Sequence, residues 1–490
     1  MISIVFISAI TTATLFLHYA RFIILNTNFI FLNSYFYVQL AVRDGRKGRG
    51  NFNMKTLTRI SNAIMEKYLP DPYIFVTILT VLTLLLGVTL TDSSPLDMVF
   101  YWGDGFWKLL EFTMQMVIVL AAGHILANSP VFKKGLAAIA SKIKTPGMAI
   151  IIITFVSLLA CWINWGFGLV IGALFAKEIA RHVKTVDYRL LIASAYSGFV
   201  IWHGGLAGSI PLSIATEGHK FADIMGIIPT NVTLFSTYNL FIVIVIVFTL
   251  PLFNRWMMPK EEDTVVVNPA LLVEEKTELP KPENNFASRS ERSYILTILI
   301  AIIGLVYLVH HFMTKGFVLD LNVINTIFIV LGVIFHGTPQ RFLAAAQDAI
   351  KTTTGIVFQF PFYAGIMGMM TASGLAAVFS QWFVHISNEH TFYLFTFFSA
   401  GLVNFFIPSG GGQWAVQAPI MLDAATVLGA DYAKTAMAIA WGDAWTNMIQ
   451  PFWALPALAI AGLKARDIMG FCLFVLIFTG IIISIGFLFF

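Results

Sequence analysis

Charge is scarce in this sequence. Asp, Glu, Lys and Arg make up 11% of its 490 residues, against about 25% in an ordinary soluble domain. With 58% hydrophobic residues and a mean hydropathy of +0.81, that shortage excludes a soluble globular fold. Cysteine is scarcer still. Cys161 and Cys472 lie in separate apolar runs, which suits buried structural thiols and offers neither a disulfide framework nor a paired-cysteine metal site. No Gly-x-x-x-x-Gly-Lys-Ser/Thr loop points to ATP as a driving force, and no His-Glu-x-x-His pair points to a bound metal. The Gly-x-Ser-x-Gly elbow of a hydrolase is missing too. Neither a cofactor nor an enzyme active site is therefore expected. The net charge of +4 does not mark a nucleic-acid binder, because the basic residues sit in short loops between apolar runs.

What the chain has in quantity is apolar length. Runs able to cross a bilayer, about 20 residues each, recur at about 72–91, 106–128, 147–163, 166–182, 190–210 and 234–256. More follow at about 294–313, 322–337, 354–376, 392–408, 412–428, 434–457 and 467–488. The fold class is an all-α polytopic membrane protein with about 12–13 membrane segments. Residues 1–53 do not fit this pattern. Their apolar stretch is interrupted by Arg21 and ends in Arg43-Asp44-Gly45-Arg46-Lys47, whereas a signal peptide carries its charge before the apolar core. We read 1–53 as an N-terminal extension outside the native protein, with Met54 as the start. Residues 54–258 form a first membrane half and 259–292 a polar, Pro-bearing cytoplasmic linker. Residues 293–490 form a second half, with 294–313 as a linking helix.

Loop charge orients the halves. Lys133, Lys134, Lys142 and Lys144 share one loop, and Arg181, Lys184 and Arg189 share another on the same side. Asp92, Asp97, Asp104, Glu217, Asp223 and Asp320 fall on the opposite side. The basic side is the cytoplasmic one. The linking helix resets the parity, so the halves run in opposite orientation. They also share ordered matches: Thr154-Phe155-Val156-Ser157 with Thr396-Phe397-Phe398-Ser399, and Asp187-Tyr188 with Asp431-Tyr432. Together these predict inverted repeats with broken helices, an architecture common among secondary transporters.

Two glycine-bearing interruptions stand at corresponding places, Asn164-Trp165-Gly166-Phe167-Gly168 and Pro408-Ser409-Gly410-Gly411-Gly412-Gln413. Broken backbone survives in hydrocarbon only where protein buries it or it lines a wet cavity. A helix beginning after such a break turns free N–H groups toward an anion. Asn164, Gly166, Gly168, Ser409, Gly410, Gly411, Gly412 and Gln413, with Ser209, are therefore the candidate substrate-binding residues. The span 433–458 is unusually polar, with Asp443, Thr446, Asn447 and Gln450. Hard oxygen ligands near a membrane midplane suit a small cation, so these four are the candidate coupling-ion residues, for Na+ or for a proton on Asp443. His203, Gln115, His124 and Gln359 read first as hydrogen bonders between helices.

Four stretches carry a family resemblance: Trp102-Gly103-Asp104-Gly105-Phe106-Trp107, Asn164 to Val170, Pro408 to Gln413, and Gln450-Pro451-Phe452-Trp453-Ala454-Leu455-Pro456. They resemble the short-chain fatty acid transporter family of the AtoE type, within the wider ion-transporter superfamily. The resemblance runs from about Met54 to the C-terminus, and its motifs are long enough to be specific. It implies a multi-pass carrier of the bacterial inner membrane that imports butyrate, acetoacetate and similar short-chain carboxylates with a coupling H+ or Na+. His203-Gly204-Gly205 stands where the family is expected to have glycines throughout. Its partners would be those acids and the lipid bilayer, with no nucleic acid; a homo-oligomer is left open. Two rivals differ in what they need. A carrier of dicarboxylates or other organic anions calls for fixed cations in the site, and a membrane enzyme acting on acyl groups calls for His, Asp or Ser clustered at one membrane face.

Overall fold

Hydrogen-bonding side chains mark where the helices begin. Thr145 accepts from the Met148 amide, Asp187 from Leu190, Ser236 from Asn239 and Asp431 from Lys434. Proline occupies the first turn at Pro95, Pro130, Pro146 and Pro339, where its missing N–H removes nothing from the helix. The computed structural model describes residues 61, 72–272, 283–316, 321–408 and 410–490. Among these it is built from helices, with no strand. The extension 1–53 and the candidate Ser409 lie outside the described residues.

Six helices among the described residues are long and apolar enough to cross a membrane, and up to eight if each of two bent pairs counts as one span. This is fewer than the apolar runs suggest, because several runs are broken or short. Thr113–Leu126 and Pro130–Ala140 bend by 75° where Ser129 caps the second helix, and Val357–Ala372 and Leu375–His385 bend by 71°. At the second bend Gly374 takes φ +77, a conformation that side chains with a Cβ resist. Phe392–Asn404 is apolar but shorter than a span.

Helices from the two stretches interleave. Pro72–Leu90, Pro95–Gly105 and Leu110–Asn128 pack against Leu321–His336, Pro339–Ile350 and Thr354–Ala372. Small residues permit this: a Cβ on Gly105 would lie 2.6 Å from the Ala364 carbonyl oxygen and 2.8 Å from the Gly368 Cα. Behind them, Pro146–Ile163 lies along the segment 188–204, much as Phe392–Asn404 lies along Tyr432–Thr446. Gly198 closes on the backbone of Ser157 and Leu158, and Gly442 closes on Phe397, Ala400 and Gly401. Thr237–Trp256 and Ala465–Phe489 pack against each other beside these pairs.

The polar stretch after Pro259 is partly anchored. The Val265 amide donates to Asp187 Oδ2 at 2.8 Å, and the Tyr188 amide donates back to the Val265 carbonyl at 2.8 Å. Arg181 donates to the Leu272 carbonyl at 3.0 Å. Gln115 bonds between helices, with Asn322 and Asn325 as its partners. Gln115 Nε2 donates to Asn322 Oδ1 at 3.1 Å, and Asn325 Nδ2 donates to the Gln115 carbonyl at 3.1 Å.

Candidate functional site: a buried polar cluster at the Gly410 break

The segment 188–214 starts as an α-helix, tightens to a 3-10 helix over Gly198–Gly204, and resumes as Ser209–Ile214. Gly204, Gly205 and Gly208 lower its helix propensity where it breaks. The freed backbone is satisfied by side chains and by facing backbone, as a water-poor interior demands. The Gly204 carbonyl accepts from Asn239 Nδ2 at 3.1 Å and from Trp162 Nε1 at 3.2 Å, while the Leu206 amide donates to the Trp162 carbonyl at 2.7 Å. Trp441 Nε1 fixes Asn239 by donating to its Oδ1 at 2.9 Å. These bonds hold His203 facing Asp443. Nε2 stands 3.4 Å from Oδ1, with both side chains fully buried.

Asp443 lies in the last turn of Tyr432–Thr446, which Asn404 clasps from the facing helix. Asn404 Nδ2 reaches the Asp443 carbonyl at 3.0 Å, Thr446 Oγ1 at 2.9 Å and Asn447 Oδ1 at 2.8 Å. An amide nitrogen has two hydrogens, so three acceptors must share them. Tyr196 donates to the Asn447 carbonyl at 2.6 Å. Gln450 turns onto its own loop, where Oε1 accepts from the Phe452 amide at 2.7 Å. Of the four candidate ion residues, then, Thr446, Asn447 and Gln450 have oxygens engaged within the protein. Neither carboxylate oxygen of Asp443 makes a hydrogen bond.

The helix Gly410–Leu428 meets this cluster at its first residue. A Cβ on Gly410 would lie 2.5 Å from His203 Nε2 and 2.5 Å from Ser209 Oγ. Gly411 faces open space and Gly412 is half-buried. Gln413 Nε2 donates to the Ala400 carbonyl at 2.8 Å and to Gln417 Oε1 at 3.0 Å, and Gln417 Nε2 donates to Ser399 Oγ at 2.9 Å. This amide chain pins the helix start to Phe392–Asn404. Both His203 ring nitrogens, Ser209 Oγ, Asn404 Oδ1 and Gln413 Oε1 are buried without a hydrogen-bond partner. Each such group costs about 1–3 kcal/mol.

The first interruption is built differently. Asn164 caps Trp165–His182 by accepting from the Phe167 amide at 3.0 Å, so its oxygen is already used. Gly166 is buried in the first turn, and a Cβ on Gly168 would stand 2.5 Å from the Cys161 amide nitrogen. Trp165 packs edge-on against Trp202 at 5.7 Å and Trp453 at 5.1 Å, and Trp202 immediately precedes His203. Rings thus connect this break to the polar cluster. The nearest ligand-like geometry is at Gly410, Ser209, His203 and Asp443. Three of these stood out in the sequence as separate candidates. His203 was singled out but read first as a hydrogen bonder between helices, and Asn404 was not a candidate, although an asparagine preceding the second break was a signal within reach.

A model of the short-chain fatty acid transporter family matches residues 53–490. The chain belongs to that family. A relative from Escherichia coli K12, named as a candidate short-chain fatty acid transporter, is 47% identical over 433 residues, covering 88% of this chain and 98% of its own. A Haemophilus influenzae relative with the same name is 47% identical over 439 residues, covering 88% of this chain and 98% of its own. Family membership makes this chain a multi-pass membrane transporter and not an enzyme. Among solved structures, the Alcanivorax borkumensis YdaH transporter aligns with 16% identity and a TM-score of 0.39, covering 85% of this chain and 97% of its own. The Neisseria gonorrhoeae MtrF efflux pump aligns with 12% identity and a TM-score of 0.32, covering 86% and 94%. Both likenesses are too distant to carry an argument.

Proposed function

We propose that this chain imports short-chain monocarboxylates such as butyrate and acetoacetate across the bacterial inner membrane, in symport with H+ or Na+. The observation that carries the reading is the set of buried polar groups without hydrogen bonds where Gly410, Ser209, His203 and Asp443 converge. A helix start, a hydroxyl and an imidazole are donors suited to one carboxylate, and Asp443 beside them is the acceptor for a cation. Asn164–Gly168 acts at one remove, by holding Trp165 against Trp202. Among the described residues no Lys or Arg is buried, which favours a singly charged acid over a dicarboxylate. The halves 54–258 and 293–490 act as inverted repeats. In support, Asp187 and Asp431 cap equivalent helices, and Gly198 and Gly442 make equivalent close approaches.

The test is uptake of labelled acetoacetate and butyrate into proteoliposomes, with Na+ and pH gradients imposed separately. Protein-free liposomes under the same gradients measure passage of the protonated acids through lipid. Accumulation above that background under one gradient supports the carrier and names its ion. No uptake and no exchange under any condition contradicts it.

A further inference from the structure

His203 Nε2 has two neighbours that ask different things of it. On one side is the Asp443 carboxylate, 3.4 Å away in a fully buried pair. On the other is the start of Gly410–Leu428, so close that a Cβ on Gly410 would stand 2.5 Å from Nε2 and from Ser209 Oγ. Neither ring nitrogen, neither Asp443 oxygen and not the Ser209 hydroxyl makes a hydrogen bond. A buried polar group without a partner is rare and calls for an explanation. Here several from separate elements meet at one point. The donors among them, imidazole and hydroxyl, match a carboxylate. One carboxylate, that of Asp443, is already at the ring.

We propose that His203 is a shared counter-group, held by Asp443 in the empty carrier and handed to the substrate carboxylate when a cation neutralises Asp443. The proposal rests on the carboxylate-carrier reading above. Two ionised carboxylates at contact distance in a dry site repel strongly, because no water screens them. The substrate therefore gains the imidazole and Ser209 only in the company of a cation on Asp443. Substrate and ion become coupled through one ring without touching each other. As packed, the gap at Gly410 is too narrow for a carboxylate. The exchange requires the helix Gly410–Leu428 to withdraw from the segment 198–209. The amide chain Gln413–Gln417–Ser399 and the Asn404 clasp tie that helix and the Asp443 turn to Phe392–Asn404, while Tyr196 on the Asn447 carbonyl and Asn239 on Trp441 tie the same turn to 196–204, so it is the helix start at Gly410 that withdraws.

The experiment is exchange of labelled for unlabelled acetoacetate in proteoliposomes holding the full chain, with and without Na+ and at neutral and acidic pH. Wild type exchanges only when Na+ or acid is supplied. Asp443→Asn exchanges without that requirement and accumulates nothing. His203→Gln raises the half-saturating concentration at least about tenfold, the effect of losing a charge-assisted hydrogen bond. Ser209→Ala, a smaller change that spares the buried pair, raises it less and reports on the same site if either larger variant fails to fold. An Asp443→Asn exchanger that keeps the wild-type cation requirement overturns the proposal. So does unaltered half-saturation in both His203→Gln and Ser209→Ala. If wild type itself exchanges neither acetoacetate nor butyrate in any condition, the carrier reading has failed, and that outcome is distinct.

Discussion

The two glycine-bearing breaks look alike in sequence and do different work. At Asn164 the break is closed locally: the side chain caps its own helix, and Gly168 lets two helix ends touch backbone to backbone. At Gly410 the glycine faces the tips of His203 and Ser209, and polar atoms around it are left without partners. Backbone neighbours cannot yield, whereas side-chain tips can. The first break is a joint of the scaffold. The second is where we propose that the substrate binds. A glycine run thus signals an interruption, and what faces it decides the use.

That contrast can be broken experimentally. The largest expected effect is at Asp443. Asp443→Asn should reduce gradient-driven accumulation to the level of protein-free liposomes, and full accumulation by this variant would remove Asp443 from the coupling site. Next is Gly168→Ala, whose new Cβ would meet Cys161 backbone atoms at 2.5 and 2.7 Å. It should fail at the level of folded yield, read by gel filtration in detergent, and a well-folded variant would mean the joint is looser than described. Asn404→Ala strips the clasp from Thr446, Asn447 and the Asp443 carbonyl, and should lower stability by about 1–3 kcal/mol in thermal unfolding. Smallest is Asn164→Ala, which removes a helix cap worth about 0.5–2 kcal/mol. It should shift the melting temperature while leaving the half-saturating acetoacetate concentration where it was. A large change in that concentration would give Asn164 a direct hold on the substrate.

Much of this was legible beforehand. Apolar length and scarce charge establish a helical membrane protein, and polar residues in an apolar span single out Asp443. The count of spans was not legible, because hydropathy does not show that an apolar run such as Phe392–Asn404 forms a helix too short to cross. Nor was the use of each polar residue. Gln450 carries the same amide as Asn404, yet one closes its own turn and the other clasps a neighbouring helix. The His203–Asp443 pair joins residues far apart in the chain, and neither periodicity nor composition encodes which distant segments will meet. The parallel order of Asp187-Tyr188 and Asp431-Tyr432 came nearest to predicting it, since those residues cap the two segments that bring the pair together.

The most direct measurement of the central claim, that the Gly410 break is the transport site, is acetoacetate exchange by Gly410→Ala. The three atoms nearest a Cβ there are tips of His203 and Ser209, which must turn aside, so the variant should fold with a melting temperature modestly below wild type, for a cost of about 1–3 kcal/mol. Gly103→Ala, at a helical glycine with open space around it, controls for the substitution itself. The account predicts exchange at least about tenfold slower for Gly410→Ala, from crowding equivalent to more than 1.4 kcal/mol, with Gly103→Ala unchanged. A folded Gly410→Ala variant that exchanges at the wild-type rate would contradict it.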